Sequence, residues 1–236
     1  MTDYESSSHI SSWIFTPQDL EVLRVQANLE ACTYLQGLER LEDKEEALAT
    51  SEPPQPKWFA KCHQNSKREC PAGDESTTSA YLTSTEEQSL VKFYSSKIFS
   101  LVGQNAPHIK LKRDVKVAST AALFFRRFYL SNSVMIFDPK TIMVACTFLA
   151  TKVEDVTVDI RYLEEGTKKM DAHVSIDEII KSEVQLVKGI DFDFTCYHPF
   201  KTVLAYTEGA SNSLIVWAYE WKWDVLTIFV CNFLIV

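Results

Sequence analysis

A chain of 236 residues, 46% hydrophobic and 24% charged, has the make-up of an ordinary globular protein and is long enough for one or two domains with their own core. A net charge of −8 counts against phosphate-backbone binding as the main task, which calls for a basic face, but it leaves a basic protein partner open. Only six glycines are present, which argues against a turn-rich β architecture and favours helices.

The acidic, polar start Met1-Thr2-Asp3-Tyr4-Glu5 is no secretory signal, and Cys32, Cys62, Cys70, Cys146, Cys196 and Cys231 follow no regular spacing. Together these features point to a reducing compartment. Cys62, His63 and Cys70 are three soft ligands in a loop-like stretch, whereas structural zinc requires four at fixed spacings. No metal and no other cofactor is expected. There is also no phosphate-cradling glycine loop and no nucleophile motif, so the chain is expected to be non-catalytic.

Residues 1–41 carry Trp13, Phe15, Leu20, Leu23 and Ala27 at helical spacings. Thr16-Pro17 supplies a hydroxyl N-cap with proline at the first helical position. This segment reads as a helix packed on the domain that follows. Residues 42–83 read as a flexible linker, with the charge run Glu42-Asp43-Lys44-Glu45-Glu46 and the prolines Pro53, Pro54 and Pro56. Such a stretch buries too little apolar area to offset its ordering entropy. Within it, Trp58-Phe59 is either a local docking element or a short recognition motif.

Residues 84–195 carry five helical signals. Ser84-Thr85-Glu86-Glu87 has the form of a capping box, and Leu90, Tyr94, Ile98 and Leu101 follow on one face. After Pro107 a second helix spans about Arg113 to Leu130, with Ala118, Ala121, Ala122, Phe125, Phe128 and Tyr129 in steps of three and four. Alanines alternating with aromatics allow a neighbouring helix to approach closely. The third helix opens at Asp138-Pro139 and is apolar on nearly every face through Ala150, so it should be surrounded by others. A short fourth spans Ile160 to Glu164 and is expected to end at Gly166. The fifth opens on a capping box at Ser175–Glu178, points Ile176, Ile179, Ile180, Val184 and Val187 inward, and stops at Gly189. The fold class is all-α.

Two charges interrupt this pattern. Lys152 follows Phe148 and Leu149 near the core face of the third helix, and Glu183 lies beside Val184 and Val187 on the fifth. A charge on an apolar face is stable only when paired, which predicts that Lys152 and Glu183 meet at the edge of the bundle. Periodicity alone favours a purely internal bridge, because buried pairs are more often structural than functional.

The run Arg127-Phe128-Tyr129-Leu130-Ser131-Asn132-Ser133-Val134, then Asp138-Pro139, then Phe148-Leu149-Ala150-Thr151-Lys152-Val153-Glu154-Asp155, resembles the cyclin box of transcriptional cyclins, closest to the cyclin H type. Trp13-Ile14-Phe15-Thr16 with Leu23-Arg24 and Ala27-Asn28 resembles the N-terminal helix of that type. Ile190-Asp191-Phe192-Asp193-Phe194, followed by His198-Pro199-Phe200, is similar to the family's junction between two boxes. The position before Arg127-Phe128 holds Arg126, so the buried arginine–acid pair of cell-cycle cyclins is absent, as it is in transcriptional cyclins.

The resemblance implies a five-helix cyclin box with an extra N-terminal helix, and an incomplete second box beginning at residue 196. It also implies a regulatory subunit that binds and activates a cyclin-dependent protein kinase. That kinase would act on other cyclin-dependent kinases and on the RNA polymerase II C-terminal repeats, in the nucleus, with an assembly factor and the transcription and repair factor IIH as further partners. The contact pair of the family falls on Lys152 and Glu183, with Phe148, Leu149 and Leu186 as apolar neighbours. No direct nucleic-acid contact and no membrane are expected. The competing reading is a cyclin-fold transcription scaffold of the factor IIB type, against which the acidity of the chain counts. Residues 209–236 match nothing in the family. Charges at Glu220, Lys222 and Asp224 leave apolar runs shorter than the ~20 residues of a spanning helix. The tail therefore reads as the end of a truncated or alternatively spliced product, with a non-activating isoform as a further alternative.

Overall fold

The structure is a computed structural model that describes residues 4–42, 55–57, 81–170, 172–198 and 200. Trp58-Phe59, Cys62, His63, Cys70 and the tail from 201 lie outside the described residues, as does most of the expected linker. Regular structure among the described residues is entirely helical. After a 3-10 turn at Tyr4–Ser6 come α1 (Ser8–Trp13), α2 (Pro17–Glu42), α3 (Ser84–Val102), a 3-10 turn at Ile109–Leu111, α4 (Val115–Ser131), α5 (Pro139–Val153), α6 (Ile160–Lys169) and α7 (Ile176–Gly189).

The N-terminal segment forms two helices rather than one. Proline disfavours a helical conformation in the residue before it, so the chain straightens through Ile14-Phe15-Thr16. Thr16 and Asp19 then cap α2 reciprocally: the Thr16 N–H donates to Asp19 Oδ2 at 3.1 Å and the Asp19 N–H donates to Thr16 Oγ1 at 3.2 Å. Trp13, Phe15, Leu20 and Leu23 are buried against the domain, as a packing role requires.

The five helices α3 to α7 form one core. α5 packs against α3, α4 and α7, and Val144, Ala145, Cys146 and Ala150 are wholly buried along it. On α4, Ala118, Ala121, Ala122, Phe124, Phe125 and Phe128 are likewise inaccessible. Each buried phenylalanine contributes roughly 1.5–3 kcal/mol of transfer free energy, so α4 and α5 hold the domain together.

Three local expectations are corrected. The capping box of α3 uses Thr83 and Glu86, one residue earlier than expected. Glu87 turns inward, 7% exposed, and its carboxylate accepts a hydrogen bond from Ser133 Oγ. α6 runs through Gly166 to Lys169, because Gly166 serves close approach rather than termination: a Cβ there would stand 2.5 Å from Leu111 Cδ1. On α7, Ile180 and Val184 point outward at 48% and 53% exposure, while Ile179 and Leu186 are fully buried. Apolar side chains at 176, 179, 180, 184, 186 and 187 are too many for one inward stripe, and the steep periodicity of 179, 182, 186 and 189 defines the buried face.

α7 ends at Gly189, but that glycine is helical and pressed onto Phe128, with a Cβ position 2.5 Å from Phe128 Cδ2. The reversal that follows is made by Asp191 (φ 53°) and Phe192 (φ 57°) in left-handed conformation.

Candidate functional site: a paired charge on an apolar helix face

Lys152 lies in the last turn of α5, where a cation complements the carbonyl end of the helix. Glu183 lies on α7, which packs alongside. Lys152 Nζ donates to Glu183 Oε1 at 2.5 Å, so the two charges meet as their spacing predicts. The ammonium also sits 4.0 Å from the centroid of the Phe148 ring, one helical turn back. The side chains are 43% and 17% exposed, which places the pair at the rim rather than in the interior. A pair this exposed contributes only about 0–1 kcal/mol, so stability alone is a weak reason for it. It uses one of three ammonium donors and one of two carboxylate oxygens, leaving both groups able to bond elsewhere.

Exposed Ile180 and Val184 stand four residues apart on α7, and Glu183 lies three residues after Ile180, one turn along the same side. Leu149 and Leu186, expected as apolar neighbours of the pair, are 6% and 0% exposed and belong to the core. Phe148 is half-buried beneath the lysine.

Two polar networks escaped the sequence reading. Arg127, 2% exposed, donates to the carbonyls of Asp193 at 3.2 Å and Thr195 at 2.9 Å, lies 3.1 Å from His9 Nδ1, and stacks 4.3 Å from the Trp13 ring. Asp193 in turn accepts from Trp13 Nε1 at 2.9 Å and Ser8 Oγ at 3.0 Å. Burial alone would raise the Asp193 carboxyl, but these bonds, the Thr195 N–H and the Arg127 charge hold it below its ordinary value. Burial, then the Arg127 charge, lowers His9. This network ties α1, α4 and the segment after α7 together.

The second network joins Thr120, Glu154, Lys116 and His198. Thr120 Oγ1 donates to Glu154 Oε1 at 2.6 Å and lies 2.8 Å from His198 Nε2, while Lys116 Nζ pairs with Glu154 Oε2 at 2.5 Å. Burial pushes His198 down to about 4, opposed by the Glu154 charge. Among the described residues no group of three His, Cys, Asp or Glu side chains is placed to hold a metal, and no helix is long and apolar enough to cross a membrane.

A bundle of five helices around an apolar central one, preceded by a packed N-terminal helix, is the architecture of a cyclin box. Residues 100–195 match the family described as cyclin, N-terminal domain. The similarity extends further along the chain to particular members. It is 29% identical over 211 residues to cyclin CCL1 of Saccharomyces cerevisiae, spanning 89% of this chain and 46% of that protein. It is 26% identical to a putative cyclin-H of Dictyostelium discoideum (86% of this chain, 55% of that one) and 30% identical to cyclin mcs2 of Schizosaccharomyces pombe (84% and 51%). Among solved structures it superposes on a chain of the CAK complex from Chaetomium thermophilum bound to ATP-gamma-S, with TM-score 0.61 and 24% identity over 89% of this chain and 53% of that one. It also superposes on a chain of the yeast TFIIK complex (Kin28/Ccl1/Tfb3), with TM-score 0.54 and 24% identity over 86% and 63%. At that identity the likeness is one of fold. The chain spans about half the length of the curated relatives it matches.

Proposed function

We propose that this chain is a regulatory cyclin subunit that binds a cyclin-dependent protein kinase of the kinase-activating type, and that α5 and α7 form the docking face. The observation that carries this reading is the Lys152–Glu183 pair, half-exposed and flanked by outward-facing Ile180 and Val184. An apolar strip with a polar pair whose bonding capacity is unspent fits a partner helix: the strip buries its apolar side, and the pair bonds its backbone. The likeness to chains of kinase complexes supports the same reading. The chain supplies no catalytic group. It acts by stabilising the kinase state in which the lysine–glutamate ion pair is assembled and the ATP phosphates are held. A kinase acting on the polymerase repeats would place the complex in the nucleus.

The test is co-expression with the kinase subunit, comparing Lys152→Ala, Glu183→Ala and Ile180→Asp with the parent by pull-down and by phosphorylation of a polymerase-repeat peptide. Each substitution is expected to weaken binding about tenfold or more, equivalent to about 1.4 kcal/mol. Folded variants that bind and activate undiminished would remove the interface assignment.

A further inference from the structure

A groove of about 380 Å³ opens between the first half of α2, the start of α3 and the end of α4. None of Lys152, Glu183, Ile180 or Val184 lines it, so it is separate from the docking face above. Its floor is apolar, with Leu20 and Ala27 from α2, Val91 from α3, and Tyr129 and Leu130 from α4. Its walls carry three cations from three helices: Arg24, Lys92 and Arg126. This convergence occurs in a chain of net charge −8.

Glu87 is the one acidic side chain among the described lining residues, and it is already committed. It accepts from Ser133 Oγ, and burial pushes its carboxyl up, away from the charged form. Arg24 is half-buried, so that burial lowers its pKa against the opposing charge of Glu21. The groove is therefore a partly desolvated positive basin over an apolar floor, where an anion is bound more strongly than at an open surface.

The end of the groove shows what shape fits. Asn132, which lines it, grips the main chain of one residue: the Lys57 N–H donates to Asn132 Oδ1 at 3.0 Å, and Asn132 Nδ2 donates to the Lys57 carbonyl at 3.1 Å. This face thus already binds main-chain N–H and C=O groups beside the groove. The volume lies at the small end of ligand pockets, roughly 300–1,000 Å³, enough for a few side chains of a strand-like peptide and too little for a helix.

We propose that this groove binds a short anionic segment of a partner protein, with aspartate, glutamate or phosphoserine facing Arg24, Lys92 and Arg126 and a large apolar side chain on the floor. Charge complementarity selects the acidic partner, and the apolar floor sets the neighbouring residue. The test uses the full chain and fluorescence anisotropy with three labelled peptides: Ser-Asp-Asp-Glu-Leu-Phe, its phosphoserine form, and a form with lysine in place of each acid. The acidic peptides are expected to bind, more weakly as salt is raised, and the lysine form is not. The phosphoserine arm shows whether carboxylates suffice or a phosphate is needed for the tightest binding. Arg24→Glu with Arg126→Glu should lower affinity at least about tenfold, and Lys112→Glu, an exposed cation outside the groove, should leave it unchanged. Lys92→Glu, at an exposed position, keeps the test decisive if the arginine variants fail to fold. Equal binding of the lysine peptide, no binding at millimolar peptide, or equal affinity in Lys92→Glu would overturn the proposal. So would acidic-peptide binding that emerges only when residues 43–80 are deleted, since the chain itself would then be the occupant.

Discussion

Replacing Arg127 with methionine keeps an unbranched side chain in α4 and removes the guanidinium, so it isolates what that charge holds. Two carbonyls, of Asp193 and Thr195, lose their donor in a site where the arginine is 2% exposed. Each orphaned acceptor costs about 1–3 kcal/mol. The cation over the Trp13 ring at 4.3 Å adds up to about 2 kcal/mol when desolvated. Relief of the desolvation that lowers the Arg127 pKa offsets part of this loss. The net is expected at about 3–5 kcal/mol, the usual result of removing one partner from a buried charged network. Against a total of about 5–15 kcal/mol this leaves a marginal domain. Urea unfolding of the whole chain, followed by tryptophan fluorescence and circular dichroism, reads the change directly. Arg127→Lys should lose about 2 kcal/mol, because a single ammonium does not span both carbonyls. Trp13→Phe keeps a smaller aromatic ring and loses the N–H bond to Asp193, which alone is worth about 1 kcal/mol, with the lost buried volume adding to it. The double variant should be less than additive. A loss below about 1 kcal/mol for Arg127→Met, or strict additivity with Trp13→Phe, would refute the view that this residue buttresses the N-terminal helix.

Gly166→Ala introduces a Cβ 2.5 Å from Leu111 Cδ1 and 3.4 Å from Leu101 Cδ1. Overpacking should outweigh the gain in helix propensity and lower stability by about 1–3 kcal/mol in the same unfolding assay. The His198 pKa of about 4 lies below its ordinary 6.5, so the unfolded chain takes up this proton first. The stability from burying the neutral ring is full above about pH 6.5 and is lost as pH falls toward 4, by at most about 3 kcal/mol. The groups that face it, Glu154, Lys116, His9 and Arg127, remain in His198→Gln. The variant should therefore lose less stability than the parent across that window, and identical pH profiles would contradict the assignment.

The bundle was legible because its signals are local. The alanine–phenylalanine steps of α4 and the Asp138-Pro139 start of α5 each define an element within one window, and the meeting of Lys152 with Glu183 follows from charges on two adjacent apolar faces. Errors arose where one residue type serves two purposes. Gly166 reads as a stop but provides close approach, and Thr83-Ser84 offers two hydroxyls for one cap. On α7 the surplus of aliphatics hides which stripe is inward, so the pattern assigns Ile180 and Val184 to the core, where neither lies. That surplus was itself the available signal for an outward apolar strip. The Arg127 network had no local signature at all: its bonds to Asp193 involve Ser8 and Trp13, 185 and 180 residues away along the chain.

The left-handed pair Asp191 and Phe192 has a mechanical consequence. Non-glycine residues in this conformation cost roughly 1–2 kcal/mol each, so the reversal persists only while its neighbours hold it. Arg127 does so by clamping the carbonyls on either side of Phe194, and Trp13 and Ser8 clamp the Asp193 side chain from α1. The heading with which the chain leaves the domain is thus set by a latch that the N-terminal helix keeps shut. A force or ligand that lifts α1 unloads a strained hinge just after α7, so α1 and the exit from the five-helix bundle respond as a single lever.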